Sequence, residues 1–455
     1  MSVFDEKRLK SDVFKLDIDR MRRGWYSDKY FHRSVKMYEE LVRRGYRFSG
    51  NNYELSARGF DLDTIETGNI EVEMQFFTRR KPFTIVVGVD KALAILKCCC
   101  GYFDDAGNFV NTYRDIDVYA VKDGVKVEYS GDPTDVKPVI KVRGRYRDFA
   151  ILETPMLGAL SRASRIATNV YLVLSAAGGK PVLFFPARFD AHEVQAADGY
   201  AYDIAVKRYR VDSGIDVGSF VSTDAQGDWW GGAGGGTVAH AAIATFLGDT
   251  AELMISFAET QPVDVPRIAL VDFHNDSVGD SLRVAKVMFS RYIELVKAGE
   301  IEEARKFKLF AVRLDTSSNL RDVSVPDTGD PSRDNGVTPE LVRIVRRELN
   351  NAYKSWGYTG EDEVIAERYC RDIKIVATGG FDPERIKLFE KEKVPVDIYG
   401  VGSWLLSSCK VCGTNNDFTA DVVRVKIGDT WVPMAKVGRA PCDNPMLEPV
   451  DLESI

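Results

Sequence analysis

No apolar stretch approaches the ~20 consecutive residues that a membrane-spanning helix needs, which argues against a helical membrane protein. The opening segment, Met1 to Arg8, is charged and lacks the apolar core of a signal peptide. A basic excess is missing too. The formal net charge of −7 speaks against a broad nucleic-acid surface, while leaving room for a local basic pocket. Seven cysteines, an odd number with Cys98, Cys99 and Cys100 in a row, do not read as a disulfide framework and suit a reducing cytoplasm. A cytoplasmic protein with neither nucleic acid nor membrane as partner is therefore expected. Low-complexity tracts are absent as well, and histidine is scarce: only His32, His192, His240 and His274 can supply imidazole chemistry.

What is there is an ordinary globular composition, 45% hydrophobic and 28% charged, spread over 455 residues. That length exceeds the usual size of a single core, so more than one domain is expected. Residues 17–44 read as helical, with Met37, Tyr38, Leu41 and Val42 at helix spacing. From Glu71 to Val142 the pattern turns to strands, in Glu71-Val-Glu-Met-Gln-Phe-Phe77 and Phe83-Thr-Ile-Val-Val87. Ala92 to Leu96 predicts a short apolar helix ahead of the cysteine triplet. A long helix is predicted to start near Glu153-Thr-Pro155, with Thr154 as its cap and Pro155 in its first turn. The tail from Asp417 alternates again, with Val422, Val423, Val425 and Ile427, which predicts strands that rejoin the N-terminal sheet.

Between Lys180 and Ser403 one unit repeats: a short apolar run, a polar or glycine-rich tip, then a helical stretch. The runs are Pro181–Phe185, Ser219–Ser222, Arg267–Val271, Leu309–Val312, Ile373–Ala377 and Val396–Tyr399. Parallel strands wound into a barrel place all their C-terminal ends on one face, where such barrels do chemistry. Beyond the runs lie Arg188; Thr223 and Asp224; Asp272, His274 and Asp276; Arg313 and Asp315; Thr378-Gly379-Gly380; and Gly400-Val401-Gly402-Ser403. The two glycine tips let backbone amides approach an anion, and the loops after the last strands of a barrel often hold phosphate; alternatively they are tight turns without a ligand. Arg313 and Asp315 alternate, so their side chains share a face: a guanidinium for a diphosphate beside a carboxylate for sugar hydroxyls or Mg²⁺, or a plain salt bridge. Asp272 and Asp276 either add polar contacts to the ligand or cap the helix that follows. His240 ends a glycine loop and suits a general base or phosphoryl acceptor, or is structural. Residues 316–337, rich in Ser, Asp, Asn, Pro and Gly, suit an active-site loop. Cys409 and Cys412 have the spacing of half a zinc knuckle; a structural zinc would need a third partner such as Cys370, and free thiols are the alternative.

Taken in order, several segments resemble the nicotinate phosphoribosyltransferase family, on the type II phosphoribosyltransferase fold. They are Ser27-Asp-Lys-Tyr-Phe31, Glu153-Thr-Pro155, Gly236-Thr-Val-Ala-His240, Val312-Arg-Leu-Asp-Thr316, Ala377-Thr-Gly-Gly380, Gly400-Val-Gly402, Asp417-Phe-Thr-Ala-Asp421 and Ala435-Lys-Val-Gly438. The resemblance implies an irregular (β/α) barrel over residues 151–403. An α+β domain over 1–150 precedes it, and residues 404–455 pack back on that domain. It also implies an enzyme that forms nicotinate mononucleotide and diphosphate from nicotinate and 5-phosphoribosyl-1-diphosphate. ATP hydrolysis would be coupled through a phosphohistidine at His240, with Mg²⁺ accompanying the phosphorylated substrates. Tyr30, Arg188 and Thr237 would bind nicotinate, with Tyr30 stacking from a neighbouring subunit, so a homo-oligomer is implied. Arg313, Asp315, Thr316, Thr378, Gly379, Gly380, Gly400, Gly402 and Ser403 would hold the phosphoribosyl diphosphate. Two segments depart from the family pattern. Arg188 is followed by Phe189-Asp-Ala191 rather than a second arginine, and Asp272-Phe-His-Asn-Asp276 replaces the commoner Asp-Thr-Tyr/Phe form. The alternatives are another pyridine, nicotinamide or quinolinate, or a silent nucleotide-binding regulator. Quinolinate's second carboxylate calls for a basic cluster near Arg188 that is not evident. A glycosidase would need two opposed carboxylates and would leave the glycine tips without a role.

Overall fold

The computed structural model describes residues 7–236 and 238–455, and it joins alternating segments from the two ends of the chain into one antiparallel sheet. The strand order is Thr430–Pro433, Phe418–Ile427, Glu71–Thr78, Ile140–Arg145, Asp117–Ala120 and Glu448–Pro449. Phe418–Ile427 pairs along the whole central strand, from Thr78 opposite Phe418 to Val72 opposite Val425, so the tail completes the N-terminal sheet as its alternation predicts. The apolar positions Met74, Phe76, Val118 and Val142 build one core with Leu93, Leu96 and Cys99 of the helix Val89–Cys99. That helix runs into the cysteine triplet instead of stopping ahead of it.

These elements form the first of two compact units: residues up to Tyr171, Tyr200–Asp212 and Ser407–Ile455. Its boundary falls inside the long helix Glu153–Ala177 rather than at 150, and its last segment begins at Ser407. Two local expectations change. The helical region 17–44 is two helices, Ile18–Arg22 and Lys29–Arg43, separated near Gly24, whose φ of +66° suits a chain reversal. Thr154 is not the cap of the long helix, because helical turns over Tyr146–Leu152 already lead into it. The Thr154 hydroxyl instead accepts from the Asp28 backbone N–H at 3.2 Å.

The second unit, Leu172–Gly199 and Ser213–Leu406, carries the repeats. Five of the six runs form a parallel sheet in the order Val182–Phe184, Ile398–Val401, Lys374–Ala377, Leu309–Leu314 and Arg267–Leu270. The sixth run, Ser219–Ser222, supplies only single-residue bridges from Val221 to Phe184 and to Gly234. Its end is claimed by a side chain: the Ser222 and Thr223 amides donate to Gln226 Oε1 in a capping box, at 2.9 and 3.2 Å, and so do not extend a ladder. Among the described residues no ladder joins Val221 to the Arg267–Leu270 strand, in keeping with an irregular barrel. All five strands point the same way, so their C-terminal tips share one rim. No helix among the described residues is long and apolar enough to cross a membrane.

One charge inside the first sheet tests its assembly. The fully buried Glu73 faces Arg143 on one neighbouring strand, at 2.6 Å, and ion-pairs with Arg424 on the other. Both arginines keep part of their surface in water, which moderates the cost of losing the carboxylate. Glu73→Ala is expected to lower stability by about 2 kcal/mol, less than the full penalty for breaking a buried pair. Denaturant unfolding of the two proteins measures it, and an unchanged midpoint would refute the role given to Glu73.

Candidate active site

The Leu309–Leu314 strand carries the charged centre of the rim. Arg313, its penultimate residue, and Asp315, just beyond its end, lie on one face as alternation requires, and Arg313 Nη2 meets Asp315 Oδ2 at 2.7 Å. The neighbouring Lys374–Ala377 strand delivers Thr378 to the same point. Its hydroxyl donates to Asp315 Oδ1 at 2.8 Å and lies 3.3 Å from Arg313 Nε. Behind the guanidinium stands the Phe185 ring, 5.7 Å away, from the tip of Val182–Phe184.

Around this centre glycine is favoured by left-handed backbone at Gly379 and by crowding at Gly400 and Gly402. A Cβ on Gly379, whose φ is +87°, would stand 3.4 Å from Asp315 Oδ1. On Gly400 it would fall 2.5 Å from the Thr378 methyl, and on Gly402 2.7 Å from the Phe189 ring. Gly380, also at positive φ, completes the first tip, and Ser403 opens the short turn Ser403–Leu406 after the second. Asp382 caps the helix Pro383–Lys391 that follows the first tip, accepting from the Arg385 amide at 2.8 Å. Thr316 is buried, and its hydroxyl has no hydrogen-bond partner, which in a native site calls for an explanation.

His240 is the first residue of the short helix His240–Thr245, and its Nε2 lies 3.0 Å from both carboxylate oxygens of Asp272. Asp272 itself is nearly enclosed. Burial pushes its carboxyl above the ordinary range, His240 opposes that shift, and the charge of nearby Asp315 adds to it. Asp272 thus links the imidazole to the Arg313–Asp315–Thr378 cluster. A carboxylate on Nε2 fixes the ring and leaves Nδ1 as its free nitrogen, the arrangement of an oriented nucleophile or base.

The remaining expected residues fall into distinct places. Arg188 sits on the turn Ala187–Phe189, exposed, over the Phe189 ring at 5.3 Å; Phe189 is the ring packed at Gly402, so Arg188 belongs to the same rim. Asp276 caps the helix Ser277–Lys297, accepting from the Gly279 amide at 2.9 Å, which is the structural alternative for this residue. Tyr30 lies in the first unit, its ring mostly exposed and its hydroxyl 3.3 Å from Asp28 Oδ2. Nearby, burial pushes the Glu153 carboxyl up to about 8, with Asp421 and Asp28 adding their charge. Thr237 lies outside the described residues. No group of three or more His, Cys, Asp or Glu side chains able to hold a metal occurs among the described residues.

Two residues at the rim were not singled out in the sequence. Arg385 donates to the carbonyls of Gly379, at 2.9 Å, and Val337, at 2.7 Å, and so ties the first glycine tip to the 316–337 loop. Its place three residues after the Asp382 cap was the available signal. Phe185 gave none, because an aromatic residue ending an apolar run reads simply as core.

Residues 61–164 match the family model described as quinolinate phosphoribosyl transferase, N-terminal domain. Among solved structures, the chain is similar to nicotinate-nucleotide pyrophosphorylase from Pyrococcus furiosus, at 27% identity and a TM-score of 0.60, over 93% of this chain and 79% of that one. It also matches human nicotinic acid phosphoribosyltransferase at 16% identity and a TM-score of 0.49, over 78% of this chain and 71% of that one. With the matched sheet domain and a parallel-stranded unit whose rim gathers an arginine, two carboxylates and glycine tips, the chain has the type II phosphoribosyltransferase fold, and these likenesses support that family.

Proposed function

We propose that the protein is a nicotinate phosphoribosyltransferase, which joins nicotinate to 5-phosphoribosyl-1-diphosphate, releases diphosphate, and couples the step to ATP hydrolysis through His240. The observation that carries this reading is that the His240–Asp272 pair lies within electrostatic reach of Asp315, which Thr378 and the Gly379 tip adjoin. An anion-holding turn alone would fit many phosphate binders. A carboxylate-held imidazole on the same rim supplies what ATP coupling requires.

In this reading the pyridine nitrogen attacks C1 of the ribose as the bond to diphosphate breaks, and positive charge develops on the sugar. Asp315 accepts from the ribose hydroxyls and, with Asp272, stabilises that charge; Arg313 receives the negative charge growing on the diphosphate. The amides of the Gly379-Gly380 and Gly400–Ser403 tips hold the 5′-phosphate, and the Thr316 hydroxyl gains a partner in the bound substrate. Mg²⁺ would suit this donor set, since Asp272 and Asp315 are close enough for each charge to disfavour the other, and the diphosphate would supply the ligands that the protein side chains do not. For ATP coupling, His240 Nδ1 attacks the γ-phosphorus, ADP leaves, and Asp272 balances the positive ring through Nε2. Arg188 pairs with the nicotinate carboxylate through its planar fork, and Tyr30 stacks on the pyridine from a neighbouring subunit of a homo-oligomer.

Quinolinate is the second reading, favoured by the match of residues 61–164 to a quinolinate-type domain. Incubating the protein with phosphoribosyl diphosphate and each pyridine in turn, with and without ATP, separates the readings. Turnover of nicotinate stimulated by ATP is expected; turnover of quinolinate alone would replace the first reading with the second, and no turnover of any pyridine would sink both.

His240→Ala is expected to abolish ATP stimulation and the acid-labile phosphate label while basal transfer persists. Asp272→Asn should slow labelling by about 10²-fold, the scale of losing a group that orients and charge-balances a nucleophile. Equal labelling in either variant would remove that residue from the coupling step. Arg188→Ala is expected to raise the KM for nicotinate about tenfold or more with little change in kcat, from the loss of a charge-assisted pair made equally in ground and transition states. An unchanged KM would exclude Arg188 from the base pocket.

A further inference from the structure

The Cys409-Lys-Val-Cys412 turn takes no part in the site just described, and it has a chemistry of its own. Cys409 Sγ stands 2.9 Å from Cys412 Sγ and also accepts from the Cys412 backbone N–H at 3.2 Å. The turn is anchored from below by the buried Thr414. Thr414 Oγ1 accepts from the Cys409 amide at 2.9 Å, and the Thr414 amide donates to the Cys409 carbonyl at 3.0 Å. Above that anchor Lys410, Val411, Cys412 and Gly413 are exposed. Two thiols are therefore held side by side, at a reachable surface, on a turn whose base is fixed.

We propose that Cys409 and Cys412 form a thiol–disulfide exchange site that reacts with small disulfides of the oxidised-glutathione class and closes to an intramolecular disulfide. The sulfurs need to move together by only about 1 Å to reach bonding distance, which a four-residue turn with an exposed tip accommodates. Cys409 is the attacking group. Hydrogen bonds from the Cys412 thiol, and then from the Cys412 amide, hold its own thiol below the usual range, and those same donors stabilise the thiolate. Its sulfur attacks one sulfur of the disulfide and expels the first glutathione as a thiolate, which takes up a proton. Cys412 then loses its proton and attacks Cys409 Sγ, expelling the second glutathione. Two protein thiols are oxidised to one disulfide, and one glutathione disulfide is reduced to two thiols.

The other cysteines set the contrast. Burial pushes the Cys99 and Cys100 thiols up to about 12 and that of Cys370 up to about 11, and Cys442 is also buried. Such thiols are poor nucleophiles with little access, and the half-buried Cys98 has only the buried Cys99 and Cys100 beside it in the chain, so disulfide closure should be confined to the turn. The ring that closes is too short to constrain the unfolded chain much, so the pair is suited to exchange rather than to stapling the fold.

The test treats the native full chain with oxidised glutathione and follows intact mass and thiol content. The expected result is loss of two of the seven thiols, loss of two hydrogens in mass, no retained glutathione, and a peptide linking Cys409 to Cys412. Cys412→Ser should trap one glutathione on Cys409, and Cys409→Ser should react about tenfold more slowly, having lost the favoured thiolate. Retention of all seven thiols, glutathione left on the wild-type protein, or a disulfide linking any other pair would overturn the proposal. Neither result depends on phosphoribosyl transfer.

Discussion

The Asp315 carboxylate is the contact on which the rim depends. It lies just beyond the central Leu309–Leu314 strand, and both of its oxygens are engaged, one by Arg313 from its own strand and one by Thr378 from the next. The Thr378 bond crosses from strand to strand, so the parallel register sets the position of the charges: Arg313 lies opposite Val376 and Leu314 opposite Ala377, one residue ahead of Thr378. The Gly379 turn closes over Asp315 with a left-handed backbone, φ +87°, that favours glycine. Asp272, beyond the strand on the other side, feels the Asp315 charge while holding His240. A one-residue slip in either ladder would turn these side chains to the opposite face and dismantle the cluster.

How much of this could be read from the sequence follows from which interactions are local. Five of the six strand runs with polar tips and the shared face of Arg313 and Asp315 are set by spacing within a few residues, and they stand as read. The return of Phe418–Ile427 to the first sheet was legible because its alternation needs a partner that its own neighbourhood lacks. The Ser219–Ser222 run misled, since its apolar pattern gave no warning that Gln226 would take the amides a strand needs. Thr154 misled for a related reason: a good capping residue was overridden by helical turns preceding it. Neither the bond between His240 and Asp272, thirty-two positions apart, nor the reach of Arg385 to Val337 has a local signature.

Asp276 and Asp272 show why one sequence motif can carry two physical roles. They lie four residues apart on the same strand tip, and either could cap a helix or face a ligand. Asp276 is committed by the Gly279 amide beside it, a local bond that also leaves it partly shared with Ser324. Asp272 has its own backbone amide as a local donor, yet burial and the neighbouring Asp315 still raise the energy of its charged form, and a cationic or proton-bearing partner answers it. The imidazole at the start of a glycine-led helix is that partner. A long-range partner added to the local amide is what separates the two.

The charge of the whole chain points to how such a rim could hold anions at all. At −7 the molecule repels phosphate at long range, so attraction must be generated within a few ångströms. One guanidinium, Arg313, is partly neutralised by Asp315 and cannot supply it alone. The amides at Gly379, Gly380 and Gly402 can, because they present partial positive charge without a counter-ion and without the rotamer entropy of lysine or arginine side chains. This explains why two of these turns recur on adjacent strands where another family of sites might use a cluster of basic residues. It also accounts for the bare approaches at Gly400 and Gly402: any side chain there would displace the donors by the width of the Thr378 methyl or the Phe189 ring it met. The rim therefore presents hydrogen-bond geometry more than net charge, with Arg188 among the few charged side chains that stand exposed on it.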